Sequence, residues 1–433
     1  KDLSSGQPIA ALPFSKRLLV SMAQHLGAPT KPTVKKGDHV DKGQPIGEPS
    51  GFVSSWVHAP SSGTVKNVEE MPTPSGRAAT VVEIETDGKD QAVPAPALPG
   101  AWTDLAPKAL VDLVAKAGII GMGGAGFPTH VKLSPPPGKT IDTLIINGAE
   151  CEPYLTADHR LMVEQAQSIW NGAQVIRRVL DAKQVWIAIE DNKPDAIAAM
   201  EKVLGDADDS VRIAVLATEY PQGAEKQLIY AVTGREIPSG GLPMDVGALV
   251  ENVGTASAIF AAVTAGTPLI QRVVTVTGRV VKTPRNILAR IGTPLQDLVD
   301  FCEGVTAPPA KIICGGPMMG IALPSLDVGM GKTTSGVLLL NEKDISFFSS
   351  MPCISCGRCV AACPMGLMPC TLSERIEAED YATAETENVL DCIECGCCAF
   401  ECPAHRPLVQ HMKQGKAQAT LLRRQRDAKK KAS

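Results

Sequence analysis

Aromatic residues are scarce in this sequence of 433 residues, at 4% of the total, and neither sign of charge dominates, since the formal net charge is −4. Proteins that bind nucleic acids present basic surfaces, often with aromatic side chains that stack on bases. The sequence offers neither feature in quantity. We therefore expect no nucleic-acid partner.

Long hydrophobic runs are also missing. The run 273–276 is far shorter than the roughly 20 residues needed to cross a bilayer, and the longer stretch 249–270 is interrupted by Glu251, Asn252 and Thr255. We expect no transmembrane segment. A content of 44% hydrophobic and 20% charged residues is typical of a soluble globular protein with three or four domains.

Cysteine is nearly absent from the first 352 residues, which hold three of the 13. Disulfide frameworks belong to short secreted chains, so this distribution argues against one. Eight of the later cysteines form two copies of the pattern C-x2-C-x2-C-x3-C-P. This is the bacterial-type spacing for [4Fe-4S] clusters, in which the fourth cysteine of each motif binds the cluster of the other motif.

The crosswise rule assigns four thiolates to each of two clusters. The first cluster receives Cys353, Cys356, Cys359 and Cys402, and the second receives Cys363, Cys392, Cys395 and Cys398. Zinc is the poorer alternative, because a structural zinc site commonly uses two separate C-x2-C knuckles and does not call for a close third cysteine. Cys370 and Cys397 lie outside the pattern, and we interpret them, like Cys302 and Cys314, as packed, inert thiols.

The pattern along the chain predicts a multidomain α/β protein. Short alternating runs between turns predict a small barrel or sandwich, alternating strand-like and helix-like runs predict an α/β domain, and a hairpin with one helix predicts a β-grasp module. A Pro-rich linker is predicted at 93–100. The expected domains are residues 1–95, 101–268, 269–340 and 341–415, the last helix-rich and carrying both clusters, with a basic tail at 416–433.

Two helix starts and the tail carry local signals. Thr293 with Pro294 and Gln296 predicts a capped helix that ends before Gly304, and Thr371 begins a second capping-box pattern. The basic tail is of a kind that is usually disordered and solvated, with anionic lipid or an acidic partner as the less favoured interpretation.

Two further segments carry candidate chemistry. The loop 121–126 matches G-x-G-x-x-G, but a helix pattern precedes it and Pro128 follows, so the dinucleotide-fold interpretation fails on context. Its glycines let backbone N–H groups approach a flavin or phosphate, with Lys132 adding charge, although a simple turn is an equal alternative. The segment 147–153 places Asn147 and two acids after an apolar strand, where ligands bind in α/β domains, although a capped turn with solvated acids is the simpler interpretation.

These segments resemble known proteins. Residues 121–132 and 147–153 are similar to the loop G-R-G-G-A-G-F-P-T-G-L-K and the segment N-A-D-E-S-E-P of the FMN- and NADH-binding flavoprotein subunit of respiratory complex I. Over residues 5–415 the chain resembles the RnfC family, also called RsxC, of the Rnf ion-translocating ferredoxin:NAD oxidoreductase complex. The resemblance implies an N-terminal barrel-sandwich hybrid, with Phe52 at the position of the modified Lys of carrier domains, and an SLBB-like β-grasp module.

The resemblance also implies site residues. Similarity at 220–225 and 250–255 extends the set, while Ala149, Ala224 and Glu251 replace an Asp, a Glu and an Asn of the complex I pattern. The implied flavin residues are Gly121, Gly123, Gly124, Gly126, Lys132, Asn147, Glu150, Tyr220, Gly223, Glu225, Asn252 and Thr255, and the residues facing NADH are Phe127 and Glu152.

The implied activity is hydride exchange between NAD(H) and FMN, followed by single-electron transfer through two [4Fe-4S] clusters. The implied partners are the other components of a membrane complex, including an iron-sulfur protein, with ferredoxin reached indirectly and ions moved elsewhere. The expected location is the cytoplasmic side of the cell membrane, as a peripheral protein. Two alternatives remain open: a cobalamin reductase of similar build, and a flavin-free electron wire or scaffold.

Overall fold

The structure, a computed structural model, describes residues 1–94, 98, 100–205, 207–345 and 349–432. Residues 95–97 and 99 of the predicted linker lie outside this set. The chain divides into two compact units, one of Lys1–Arg235 with Pro243–Ile345, and one of Glu236–Leu242 with Ser346–Ser433. Within the described residues, no helix combines the length and the apolar character that crossing a bilayer requires.

The N-terminal part of the first unit consists of short strands. They form two antiparallel sheets, β2-β8-β7-β4 and β3-β5-β6, which enclose a core that includes Leu18, Ile46 and Val82. Phe52, at the carrier-lysine position, is 77% exposed. The strands are β1 (Ala10–Ala11), β2 (Arg17–Ser21), β3 (Lys31–Pro32), β4 (His39–Val40), β5 (Pro45–Glu48), β6 (Val57–His58), β7 (Gly63–Pro72) and β8 (Ala78–Thr86).

The central part is a four-stranded parallel sheet with helices. Its strand order is β11-β10-β9-β12, so the order reverses between β9 and β12. The two helices that follow the first strand of this sheet, Ala157–Glu164 and Ala166–Leu180, meet at Gln165. The elements are α1 (Pro107–Lys116), α2 (Thr129–Lys132), β9 (Thr143–Gly148), α3 (Ala157–Glu164), α4 (Ala166–Leu180), β10 (Gln184–Glu190), α5 (Pro194–Leu204), β11 (Val211–Leu216), α6 (Glu225–Thr233), β12 (Ala248–Asn252) and α7 (Val253–Ala265).

The third part of the first unit is a six-stranded mixed sheet, in the order β1-β14-β13-β17-β15-β16. The short strand β1 pairs in parallel with β14, so the start of the chain contributes to this sheet. The elements are β13 (Gln271–Thr277), β14 (Arg285–Arg290), α8 (Leu295–Phe301), β15 (Lys311–Cys314), β16 (Ile321–Leu323) and β17 (Gly336–Leu340).

The predicted cap of α8 is wrong. The helix begins at Leu295 with Pro294 as N-cap and no side-chain cap. Thr293 is buried, and its carbonyl accepts a hydrogen bond from the N–H of Met330 at 2.8 Å. The backbone at Thr293 is therefore paired with residues 329–330 as in a β-sheet, and the Thr293 side chain does not cap the helix.

The second unit is built of helices and turns over residues 349–432. The capping box predicted at Thr371 is also wrong, because the helix already begins at Pro369, whose fixed φ suits a first helical position. The helices are α9 (Arg358–Ala361), α10 (Pro369–Glu377), α11 (Tyr381–Thr386), α12 (Cys397–Phe400) and α13 (Leu408–Ala432).

The basic tail is helical to residue 432 as the continuation of α13, where disorder was expected. Ala, Gln, Lys, Arg and Leu dominate it, and these residues have high helix propensity. Arg423 and Arg426 also contact Glu385 at 3.1 and 2.6 Å. Propensity and this acidic partner together account for the helix.

Close packing of α4 on α7 requires a small residue at Gly172. A Cβ built there would lie 1.9 Å from the carbonyl oxygen of Ala256. We expect Gly172→Ala to lower the melting temperature, because overpacking typically costs about 1–3 kcal/mol. Gly6→Ala is the control, since nothing lies within 4 Å of its Cβ position. Equal melting temperatures for the two variants, measured by circular dichroism, would contradict the packing described.

Candidate functional site

The candidate flavin residues meet at the carboxyl ends of two neighbouring strands. Asn147, near the end of β9, and Asn252, the last residue of β12, are partners in the parallel register. The strand order reverses between these two strands. Such a reversal opens a crevice at the carboxyl edge of a parallel sheet, which is where ligands bind in this class of fold.

The glycine loop lies against this crevice. The N–H of Met122 donates to Oγ1 of Thr255 at 2.9 Å, and the N–H of Gly121 donates to the carbonyl of Phe127 at 2.9 Å, which closes the loop. A Cβ on Gly123 would lie 3.0 Å from the Asn252 side chain, whereas one on Gly124 would meet nothing within 4 Å. The exposed backbone of Gly124 is thus free of side-chain cover, whereas Gly123 lies against Asn252.

The N-terminus of α7 lies at the same edge of the sheet. Oδ1 of Asn252 accepts from the N–H of Gly254 at 2.8 Å, and its Nδ2 donates to Oδ2 of Asp158 at 2.7 Å. A helix N-terminus favours anions, because its first N–H groups and its dipole point outward. A 13-residue helix that begins under a glycine loop therefore suits a phosphate-bearing ligand.

Lys132 adds a positive charge held between carboxylates. Its Nζ lies 2.8 Å from Oε1 of Glu225 and also donates to the carbonyl of Val250. Burial works against the charged form, but Glu251 and Glu225 outweigh it and raise the pKa of Lys132. The ammonium therefore remains charged at neutral pH.

Glu251 was absent from the predicted set and belongs to this group. It is 2% exposed, and within the described residues its Oε1 has no hydrogen-bond partner. Burial raises the pKa of its carboxyl to about 7, although Lys132 opposes the rise. The sequence did contain a signal, since an acid inside the otherwise buried strand Ala248–Asn252 requires a reason.

The segment 220–225 packs on the end of β9. The carbonyl of Gly223 accepts from Nδ2 of Asn147 at 2.9 Å, and a Cβ on Gly223 would lie 2.2 Å from the carbonyl oxygen of Ala149. Only glycine allows this approach. Tyr220, half-buried, precedes Pro221 through a cis peptide bond.

The two acids predicted near the ligands are engaged by backbone groups. Glu150, 8% exposed, accepts from the N–H groups of Asp158 and His159 at 3.1 and 3.2 Å and so caps α3. Burial and then Asp158 raise its pKa to about 7. The carboxylate of Glu152 accepts from the N–H groups of Met318 and Met319, at 3.1 and 2.8 Å, in the turn between β15 and β16.

The second unit brings the motif cysteines together around two cavities. The lining of the first cavity includes Cys353, Cys356, Cys359 and Cys402. The lining of the second includes Cys363, Cys392, Cys395 and Cys398. Each cavity thus combines three cysteines of one motif with the fourth of the other, which is the grouping that the spacing predicts.

A glycine turn and a short helix produce this crossing. Gly357 and Gly396, with φ of +72° and +87°, precede α9 and α12, and a left-handed turn there suits glycine. The third cysteine of each motif lies on the short helix, and the fourth lies beyond its end. The chain therefore carries the fourth thiol away from the first three.

The cavities fit a cluster better than a single ion. Four sulfurs bound to one zinc ion would each lie about 2.3 Å from it, and among the described residues no group of three or more His, Cys, Asp or Glu side chains is placed to hold a single metal ion. Cys370, interpreted from sequence as a packed thiol, also lines the first cavity. Burial and then the Cys370 thiol raise the pKa of Cys359 to about 11 in the free protein. Binding of a cluster iron by the sulfur of Cys359 therefore releases a proton.

Four family models match the chain, and each agrees with a predicted part. They are the RnfC barrel sandwich hybrid domain at residues 1–89, the Nuo51 FMN-binding domain at 114–261, the SLBB domain at 273–322 and the 4Fe-4S dicluster domain at 347–403. These matches confirm the predicted fold class and the predicted cofactor types, FMN and two [4Fe-4S] clusters.

Curated relatives are similar over nearly the whole chain. The C subunit of the proton-translocating ferredoxin:NAD(+) oxidoreductase complex of Clostridium ljungdahlii is 49% identical, over 95% of this chain and 90% of that protein. The Na(+)-translocating counterpart of Acetobacterium woodii is 45% identical, over 98% and 96%. The C subunit of the ion-translocating oxidoreductase complex of Pseudomonas aeruginosa is 42% identical, over 96% of this chain and 54% of that protein.

Solved structures support the fold. A NAD+-reducing [NiFe]-hydrogenase in the H2-reduced state matches 75% of this chain and 65% of its own, with a TM-score of 0.51 and 22% identity. The extent and identity of the curated matches exceed what shared architecture alone produces. The chain belongs to the RnfC family, the C subunits of ion-translocating ferredoxin:NAD(+) oxidoreductase complexes.

Proposed function

We propose that this chain is the NADH-interacting, electron-transferring subunit of a membrane-bound Rnf-type complex. A glycine loop at the carboxyl edge of β9 and β12 would bind FMN, and two cavities of four thiols each would bind [4Fe-4S] clusters. The observation that carries the proposal is the sorting of eight motif cysteines into two groups of four around separate cavities. This is a dicluster arrangement in a chain that also has a flavin-type crevice.

FMN supplies, when bound, the conversion between hydride transfer, which moves two electrons, and the clusters, which accept one at a time. The backbone at Gly124 admits a flat or phosphate-bearing ligand, because nothing lies within 4 Å of its Cβ position. Lys132 provides a positive charge for an anionic group, and α7, whose Gly254 and Thr255 N–H groups are capped by Asn252, adds the favourable dipole of its N-terminus. Glu225 holds the Lys132 ammonium in place.

Phe127 and Glu152 are the proposed NADH contacts. Phe127 is half-buried beside the glycine loop and offers a ring for stacking. Glu152 accepts two backbone hydrogen bonds, and an ionised carboxylate has about four acceptor positions. Two positions therefore remain for ribose hydroxyls.

The proposed partners follow from family membership. The relatives are named as subunits of ferredoxin:NAD(+) oxidoreductase complexes that translocate protons or Na(+). We place this chain on the cytoplasmic side of the cell membrane, held peripherally by other subunits, one of them an iron-sulfur protein that passes electrons to or from ferredoxin. We also keep the bounds 1–95, 101–268, 269–340 and 341–415 as proposed domains, with 416–433 as a helical basic extension.

The anaerobic visible spectrum of the purified chain tests this function. We expect flavin and iron-sulfur absorption, and bleaching of both when NADH is added. Gly124→Val should remove most of the flavin while retaining the iron and the melting temperature, because the added side chain meets only open space in the protein. The flavin is released by acid and measured by fluorescence.

Gly6→Val is the matched control, since its Cβ position is also open but lies far from the loop in sequence. It should keep its flavin. A wild-type chain with full clusters and no flavin would contradict the proposal and favour an electron wire. Full flavin in Gly124→Val would remove the glycine loop from the site.

Glu152→Gln should weaken reduction by NADH. A hydrogen bond to a charged group is worth about 1.5–3 kcal/mol, so we expect a loss of roughly 10- to 100-fold in the apparent affinity for NADH. Iron and flavin contents should not change. Stopped-flow bleaching measures the effect, with the exposed Glu201→Gln as control. An unaltered NADH dependence would remove Glu152 from the site.

The crosswise ligand sets predict which variants behave alike. Cys363→Ala should lose the same cluster signal as Cys392→Ala, although Cys363 belongs to the first motif, and each should lose about half of the iron. Cys402→Ala should lose the other signal. Electron paramagnetic resonance of the reduced protein distinguishes them, with the buried Cys302→Ala as control. Agreement of Cys363→Ala with Cys353→Ala instead would show that each motif binds its own cluster.

A further inference from the structure

The two cluster cavities are related by an internal repeat. Cys353 and Cys392 are 39 positions apart, as are Cys363 and Cys402. The relation extends beyond the cysteines, because Ile354 lines the first cavity where Ile393 lines the second. The walls of the two cavities are therefore equivalent position by position.

The repeat is broken at several wall positions, and at three of them in the same sense. Each of these three is polar in the first cavity and apolar in the second, with equivalent residues again 39 positions apart. A fourth position differs otherwise, with Ser355 in the first cavity and Glu394 in the second. The pairs are Cys370 with Val409, Ser373 with Met412, and Arg406 with Leu367.

The polar wall is fixed in position. The Arg406 side chain is 14% exposed and pairs with Glu377, and one of its terminal nitrogens lies 3.3 Å from Oγ of Ser373. Ser373 also contacts Nδ1 of His411 at 2.7 Å. Cys370 packs with Cys359 and Cys402, two proposed ligands of the first cluster. The thiol and the guanidinium thus present donors to this cavity.

Solvent access differs in the same direction. Cys353 and Cys356 are exposed, whereas their equivalents Cys392 and Cys395 are half-buried and buried, and the third cysteine of each motif is buried. One carboxylate, Glu374, also lines the first cavity, but it is exposed and its effect is screened by water. Each site has one ion pair, Arg406 with Glu377 at the first and Lys416 with Glu394 at the second, so these charges are matched.

Reduction adds one negative charge to a cluster. Hydrogen-bond donors and water stabilise that charge, and an apolar wall does not. Hydrogen bonds to the sulfurs and solvent exposure are among the factors that set cluster potentials. All of these differences favour reduction at the first site.

We propose that the cluster held by Cys353, Cys356, Cys359 and Cys402 has the higher reduction potential of the two, and that Cys370 and Arg406 produce the difference. This inference rests on the ligand sets of the proposed function. An electron entering the pair then resides mainly on the first cluster. The second cluster exchanges it at lower potential.

A redox titration of the full chain, followed by electron paramagnetic resonance, tests the inference. The wild type should show two potentials. Cys370→Val and Arg406→Leu, which copy the second wall into the first, should each lower the higher potential. Val409→Cys should raise the lower one. We expect roughly a tenfold change in the one-electron equilibrium constant for each, or about 59 mV.

Arg375→Leu is the control, because it removes an exposed cation from the same helix as Cys370 without altering either wall. It should leave both potentials in place. Arg406→Lys, which keeps the charge, is the second variant to measure if Arg406→Leu does not fold. Equal wild-type potentials, or a Cys370→Val variant with full iron and unchanged potentials, would overturn the inference.

Iron content separates this inference from the proposed function. A wild-type chain that lacks one cluster would refute the ligand sets themselves. Loss of half the iron in Cys370→Val would show that Cys370 is a ligand, which would overturn its assigned role as a donor in the wall.

Discussion

The crevice at the carboxyl ends of β9 and β12 depends on one side chain, that of Asn252. Its carbonyl oxygen caps α7 through Gly254, and its amide holds the Asp158 carboxylate. The same helix turn presents Thr255, whose hydroxyl fixes the glycine loop at Met122. The first turns of α7 and α3 are therefore joined by this cap at the point where the strand order reverses, and the glycine loop is attached to the same turn of α7. Loss of this cap would separate three parts of the crevice at once.

Much of this arrangement could be predicted, because it depends on local pattern. The apolar runs of β9, β10 and β11 and the helix Pro194–Leu204 follow from periodicity, and parallel strands bring their carboxyl ends to one edge. The roles of the acidic residues Glu150 and Glu152 could not be predicted. Glu152 bonds to the N–H groups of residues 318 and 319, more than 160 positions away, and no local signal contains such a contact. The prediction that Thr293 caps α8 was wrong for the same reason, because its carbonyl accepts a hydrogen bond from the distant N–H of Met330.

The cluster sites divide in a similar way. Cysteine spacing is local, so the grouping of eight thiols could be derived from the chain alone and agrees with the cavities. The walls of those cavities come from helices α10 and α13 and from the turn before α13, outside the motifs. Cys370 was interpreted as an inert thiol because the motif does not include it, yet it packs beside Cys359. Motif spacing identifies ligands, and tertiary packing decides what surrounds them.

Both sites use buried polar groups that hydrophobic burial alone would exclude. At the crevice, burial raises the pKa values of Glu251 and Glu150 to about 7, so these carboxyls exchange protons near neutrality. A carboxyl with a raised pKa stabilises the fold while it is protonated and costs stability as the pH rises through its folded pKa. Lys132 limits that cost for Glu251 by offering a positive charge to the ionised form. A negative charge beside this group would favour the protonated form of the Glu251 carboxyl and would be attracted by the Lys132 ammonium.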